Sequence, residues 1–134
     1  MQTYQVRVER VDAQHARAFV RSYALELGAR RADTEAGFNP VETLLAATGA
    51  CLLTSLQFVA ETSRIPLDDA RVELEATRQD KPPILTRIHY NLHLQSPAPQ
   101  ERLQQLVALA QRNSTVLQTL AQAVELEGTW EVVP

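Results

Sequence analysis

The stretch that decides the fold is Asn39-Pro40-Val41-Glu42-Thr43-Leu44-Leu45-Ala46-Ala47-Thr48-Gly49-Ala50-Cys51-Leu52-Leu53-Thr54-Ser55-Leu56. Asn39 is a good helix N-cap, and Pro40 has the fixed backbone angle that suits the first helical position. Glu42 follows the cap by three residues, so its side chain can reach back to the backbone N–H of Asn39. The sequence therefore predicts a helix that begins at residue 40 and ends near Ser63, because Ile65-Pro66 disfavours its continuation.

This predicted helix is apolar around most of its circumference. No charged residue occurs between Glu42 and Glu61, and a helix of this kind is buried on most sides. A transmembrane span is the competing interpretation, but polar residues interrupt the run and a polar α+β pattern flanks it. A small-residue patch, which includes Gly49 and Ala50, allows another backbone to approach closely. In so short a chain, we expect the cover for this helix to be its copy in a second subunit.

The rest of the chain alternates between strand and helix patterns. Period-two alternation predicts strands at residues 2–9, 15–27 (two strands or one bent strand), 71–76, 84–94 and 124–133, and helices are predicted at 97–112 and 114–122. The order is β-β-β-α-β-β-α-α-β, which is an α+β fold. No repeat or linker interrupts it, so we predict a single domain over residues 1–134.

Composition excludes several classes of function. The net charge of −3 and the aromatic content of 5% argue against a nucleic-acid partner, and the charge also argues against binding to acidic membranes. A single cysteine rules out an internal disulfide, a CxxC redox pair and a cysteine-rich zinc site. The first residues lack the basic start and apolar core of a signal peptide, so we expect a cytoplasmic protein. Nothing in the sequence indicates a cofactor.

The histidines do not predict a metal site. His89 and His93 share one face of a predicted strand, but four residues along a strand span about 13 Å, which is too far for one ion. His15 is isolated in the sequence. We therefore predict no metal site.

Two segments resemble the OsmC-like family, which comprises osmotically inducible protein C and the organic hydroperoxide resistance proteins. Residues 37–51 are similar to the family's N-P-x-E-x-L-L-A-A-x-x-A-C stretch, with the cysteine eleven residues after the proline. The second segment, Ser114-Thr115-Val116-Leu117-Gln118-Thr119-Leu120, resembles the family's C-P-V-x-x-T-L. The likeness runs from about Tyr4 to the C-terminus. It implies an antiparallel sheet wrapped around a long central helix, in an intertwined homodimer whose sheets enclose the helices of both subunits.

The resemblance also implies a chemistry, from which this sequence departs at two positions. In the peroxidase members, one cysteine attacks an organic hydroperoxide, and a second cysteine resolves the resulting sulfenic acid before a dithiol reductant restores both. The first cysteine corresponds to Cys51. The second is replaced by Ser114, whose hydroxyl cannot form a disulfide. Peroxidase members also carry an acidic residue directly after the proline, where this chain has Val41, with Glu42 one residue later.

Cys51 is the only plausible redox centre. A thiolate is the reactive form, and in an apolar site it needs a nearby cation. Arg17 and Arg21, on the predicted second strand, are the candidates, and we prefer Arg21 by its position relative to the long helix. The alternative is that Cys51 is an inert core residue, as many buried thiols are.

Glu42 and Ser114 each have a structural interpretation beside the functional one. Glu42 lies about 13.5 Å along the helix from Cys51, so it could contribute to catalysis only across a dimer, whereas a capping box already explains its placement. Ser114 can cap the short helix, or donate a hydrogen bond to a ligand or to the Cys51 sulfur.

Two functions are consistent with these residues. The first is a one-cysteine, thiol-dependent reductase of organic hydroperoxides, in which an external thiol resolves the Cys51 sulfenic acid. The second is a non-catalytic dimer that binds a small apolar or thiol-bearing ligand between its subunits. Val41 and Ser114 favour the binding protein, and Cys51 in its motif favours the enzyme.

Overall fold

The structure is a computed structural model, and it describes residues 1–134. Its elements are β1 (Arg7–Arg10), β2 (His15–Val20), β3 (Tyr23–Gly28), α1 (Pro40–Thr62), β4 (Asp69–Gln79), β5 (Ile84–Gln95), α2 (Gln100–Arg112), α3 (Thr115–Leu120) and β6 (Glu125–Val132). The chain forms two compact units, Met1–Leu44 and Leu45–Pro134, and α1 begins in the first unit and continues through the second. The predicted order of strands and helices is confirmed.

The first unit is an antiparallel sheet with the order β1-β2-β3. β1 begins at Arg7 and not at residue 2, where we predicted its start. Arg7 pairs with Phe19, one residue before β2 ends at Val20, so the residues that precede β1 run past the end of their partner strand. The turn after β2 contains Arg21, whose φ of 52° lies in the left-handed region. Arg21 is therefore a turn residue, and our placement of it on the second strand was wrong.

The start of α1 shows the predicted capping box. The backbone N–H of Asn39 donates to Oε1 of Glu42 over 3.0 Å, and the backbone N–H of Glu42 donates to Oδ1 of Asn39 over 2.8 Å. These two bonds satisfy donors that a helix start otherwise leaves unpaired. They fix where the helix begins, and so where Cys51 lies along it.

The second unit contains a sheet with the order β4-β5-β6. β4 pairs with β5 antiparallel over most of its length, as predicted. β6 runs parallel to β5, with Arg87 opposite Glu125 and Leu94 opposite Val132, so the all-antiparallel arrangement that we expected was wrong for this strand. Parallel pairing needs a crossover connection, and α2 and α3 supply it.

The core of the second unit lies between this sheet and the helices. One face of α1, centred on Leu52 and Leu56, packs into a cluster with the inward side chains of β5 and α2. Gly49 lies directly against β4, because a Cβ at this position would be 2.9 Å from Cδ1 of Leu74. Within one chain, α1 is buried along this face only, and Phe58 on the other side is 59% exposed.

α1 is also long and apolar enough to cross a membrane by length and composition. Its most apolar window is 39% buried inside the chain, and the core helix of a soluble protein meets the same two criteria. Its buried face belongs to the hydrophobic core described above.

Candidate functional site

Cys51 lies on α1 at the border between the buried and the exposed side of the helix. It is a free thiol and is half-buried. Leu52 and Ser55 beside it are buried, whereas Ala50 and Thr54 are exposed. Within the single chain, Cys51 is therefore not fully buried.

Ser114 is fully buried at the N-terminal end of α3. Its backbone occupies the cap position, since its carbonyl accepts from the N–H of Gln118 over 2.9 Å. Its side chain makes no hydrogen bond to the start of the helix, so our interpretation of the hydroxyl as the capping group was wrong. Oγ has no hydrogen-bond partner, neither a backbone group nor the sulfur of Cys51. An unsatisfied buried hydroxyl typically costs about 1–3 kcal/mol.

The two candidate arginines differ in how they are engaged. Arg17 on β2 pairs with Glu26 on β3, and the hydrogen bond and charge of Glu26 raise the pKa of Arg17 above its ordinary value. The guanidinium of Arg21 forms no ion pair and lies 5.8 Å from the centre of the Tyr23 ring. Arg21 is thus the arginine of the two whose charge is not neutralised by a carboxylate. Its left-handed backbone is costly for a residue other than glycine, and strain of this kind is often found at functional sites.

The four residues singled out by sequence are divided between the two units. Arg21 and Glu42 belong to the first unit, and Cys51 and Ser114 belong to the second. The carboxylate of Glu42 is engaged in the capping box through Oε1. No group of three or more histidine, cysteine, aspartate or glutamate side chains is arranged to hold a metal ion.

From the sequence we assigned no functional role to His93, beyond excluding it as a metal ligand. It lies on the strand face opposite the apolar one, yet it is only 8% exposed and lies between carboxylates of Glu73 and Glu131. The alternating charges of the neighbouring strands are the only signal in the sequence that could have indicated this enclosure.

The family model described as OsmC-like protein matches residues 32–128 of the chain. The protein belongs to the OsmC-like family. The matched region includes all of α1 with Cys51, and it extends through Ser114 into β6. Membership confirms the family that the two motifs indicated. In this family α1 is the core helix of a soluble fold.

Solved structures show the same fold along the whole OsmC-like chain. An OsmC-like protein from Mycoplasma pneumoniae aligns with a TM-score of 0.91 and 18% identity, covering 99% of both chains. A hypothetical protein from Aquifex aeolicus aligns with a TM-score of 0.85 and 22% identity, covering 99% of this chain and 98% of that one. The organic hydroperoxide resistance protein OhrB of Bacillus subtilis gives a TM-score of 0.68 and 18% identity, covering 97% of this chain and 98% of that one. No curated protein matches the sequence significantly.

Proposed function

We propose that this OsmC-like protein is a peroxide-resistance protein of the cytoplasm that reduces organic hydroperoxides through Cys51 alone. The observation that carries the proposal is the position of Cys51. It lies in the family's helix motif, at the edge of the exposed side of α1, and is half-buried rather than enclosed in the core. Family membership and the names of similar structures, which include organic hydroperoxide resistance proteins, support a role in resistance to peroxides.

The reaction that we propose has three balanced steps. The Cys51 thiolate attacks one oxygen of the hydroperoxide, the O–O bond breaks, and the products are a Cys51 sulfenic acid and an alkoxide that takes up a proton. An external thiol then condenses with the sulfenic acid, releasing water and leaving a mixed disulfide. A second external thiol attacks the external sulfur of this disulfide, which restores the Cys51 thiol and releases a disulfide of the two external thiols. Ser114 takes no part in resolution because its hydroxyl cannot form a disulfide.

The cation that activates Cys51 in this proposal is Arg21. A thiolate in a partly apolar site requires a neighbouring positive charge, and Arg21 has no carboxylate partner in its own unit. Arg17 provides a matched control because its charge is already paired with Glu26. Arg21→Ala should slow the oxidation of Cys51 by about tenfold or more, whereas Arg17→Ala should change it by less than about twofold, because only Arg21 offers a charge that no carboxylate neutralises.

We further propose that the working form is a homodimer. Two apolar surfaces support this proposal, and each lies within one unit. In the first unit, Val8 and Leu25 flank Ala18 on one face of the sheet and are 59% and 55% exposed. In the second unit, Phe58 and the neighbouring small residues of α1 leave one side of the helix uncovered. A second copy of the chain would remove both surfaces from water, at about 25 cal/mol per Å² of apolar area.

Glu42 could contribute to the Cys51 site only across this dimer. Since Oε1 is bonded to the N–H of Asn39, Oε2 is the oxygen that remains for a partner group. Sedimentation at micromolar concentration tests the dimer directly. A monomer under these conditions would contradict the dimer proposal without bearing on the reactivity of Cys51.

A second candidate function is a binding protein without turnover. Ser114 occupies the family's second-cysteine position, so the chain has no resolving thiol there. Its buried hydroxyl has no hydrogen-bond partner and could bind a ligand instead, which favours the binding function. Steady-state consumption of an organic hydroperoxide with excess monothiol separates the two functions. The enzyme should turn over many times, should lose activity in Cys51→Ser and should keep it in Ser114→Ala. Retention of the hydroperoxide or its alcohol without turnover, unchanged in Cys51→Ser, would instead establish the binding function.

A further inference from the structure

The outer face of the β4-β5-β6 sheet contains a buried histidine whose two ring nitrogens face different kinds of partner. His93 is 8% exposed although it lies on the side of the sheet away from the hydrophobic core. Its register neighbours are Arg71 on β4 and Glu131 on β6. Because histidine changes charge near neutral pH, the partners of each nitrogen decide what protonation does here.

Nδ1 of His93 faces a carboxylate. It lies 2.7 Å from Oε1 of Glu131, off the line of an ideal hydrogen bond. A carboxylate has no hydrogen to donate, so a proton on Nδ1 is favoured over a lone pair that would face the carboxylate oxygen. In neutral His93, Nε2 is therefore the nitrogen with the lone pair.

Nε2 faces both a donor and an acceptor. Nδ2 of Asn91 and Oε1 of Glu73 each lie 3.2 Å from it. The hydroxyl of Thr129 donates to Oδ1 of Asn91 over 3.0 Å, and this bond fixes the amide with its NH₂ group toward the histidine. The donor suits neutral His93, and the acceptor suits only the protonated ring.

We propose that His93 is a proton switch that exchanges its Nε2 partner between Asn91 and Glu73. When His93 is neutral, Nε2 accepts a hydrogen bond from Asn91. Asn91 in turn accepts from Thr129, so these hydrogen bonds connect β5 to β6. When a proton from solvent binds Nε2, the ring donates to Glu73 and links β5 to β4, while the Asn91 amide loses its acceptor.

The charged groups around the switch are distributed over all three strands. On β4, Nε of Arg71 lies 3.8 Å from the same Glu73 oxygen that faces His93. On β6, Glu131 faces Nδ1. Further along β5, His89 approaches a different carboxylate, Glu127, at 3.9 Å, and it does not share the partners of His93.

Nitrogen NMR of the full-length protein tests this switch between about pH 5 and pH 8.5, the range in which histidines titrate. At high pH, Nδ1 of His93 should carry the proton and Nε2 should have the shift of an unprotonated nitrogen. On acidification both nitrogens should become protonated, and the side-chain amide of Asn91 should shift with the same pH dependence. In acid, Glu73→Ala should speed the exchange of the Nε2 proton with water by at least tenfold, whereas Glu75→Ala on the same strand face should leave it unchanged.

Three results would overturn the proposal. One is a proton on Nε2 at high pH, and another is an Asn91 amide that does not follow His93. The third is Nε2–H exchange that is the same with and without Glu73. Both glutamates are exposed, so their variants should fold and each result can be interpreted.

Discussion

At Gly128, the addition of a single methyl group should reduce the stability of the fold. It lies on β6 opposite Tyr90, and the tyrosine ring occupies the space where a side chain at 128 would be. A Cβ added at Gly128 would lie 2.0 Å from Cζ and 2.3 Å from Oη of Tyr90. Tyr90 is only 3% exposed, and its hydroxyl accepts a hydrogen bond of 2.6 Å from Gln111 on α2, so the ring has little room to move.

The expected cost of Gly128→Ala follows from these contacts. Forcing a methyl group into a packed site costs about 1–3 kcal/mol, and displacing the tyrosine hydroxyl from Gln111 costs about 1 kcal/mol more. We therefore expect the free energy of unfolding to fall by about 2–4 kcal/mol. Urea denaturation at one fixed protein concentration measures it, since a dimer's stability depends on concentration.

A double-mutant cycle identifies the cause of this loss. In a Tyr90→Leu background the ring is absent, so the further cost of Gly128→Ala should fall to below about 1 kcal/mol. An equal cost with and without the ring, or a single variant within about 0.5 kcal/mol of the wild type, would refute the steric explanation.

Three further predictions concern other parts of the second unit. After treatment with an organic hydroperoxide, Ser114→Cys should form a disulfide with Cys51, seen by intact mass as the loss of two hydrogens, whereas Thr115→Cys should not; equal yields in both would contradict the assignment of position 114. Burial raises the pKa of Tyr90 above 10.0, so the folded state disfavours the tyrosinate. The contribution of Tyr90 to stability should therefore be fully present below pH 10.0 and be lost as pH rises toward the folded-state pKa, so the alkaline loss of stability should be smaller in Tyr90→Phe. Gly49→Ala should change the free energy of unfolding, measured in urea, by less than about 1 kcal/mol. The added methyl group makes a close contact with side-chain methyl groups of β4, and the gain in helix propensity, about 1 kcal/mol, offsets it. A loss above about 2 kcal/mol would mean that these β4 side chains cannot shift to make room.

Local sequence signals predicted the elements well where the signal and the cause lie in the same segment. Asn39 and Glu42 form their capping box from residues three positions apart, so the helix start could be read directly. The inward face of β5 follows from a strict alternation that includes Leu92 and Leu94, both fully buried. The cysteine motif then predicted the family, which the family match confirms.

The features that could not be predicted depend on partners distant in sequence. Alternation shows that β6 is a strand but contains nothing that sets its direction, which depends on the crossover through α2 and α3. The burial of His93 arises from Glu73 and Glu131, which meet it only once three strands are in register. The unpartnered hydroxyl of Ser114 was missed because a residue at a cap position need not use its side chain when its backbone carbonyl starts the helix.

The most direct test of the proposed function is the rate at which an organic hydroperoxide oxidises Cys51. Intact mass with a sulfenic-acid trap should follow the reaction in a single turnover, with Cys51→Ser as the control that cannot react. We predict stoichiometric oxidation of Cys51, at least about tenfold faster than that of a free thiol in solution at the same pH. Oxidation no faster than that of the free thiol would contradict the account, because it would mean that no cation activates Cys51.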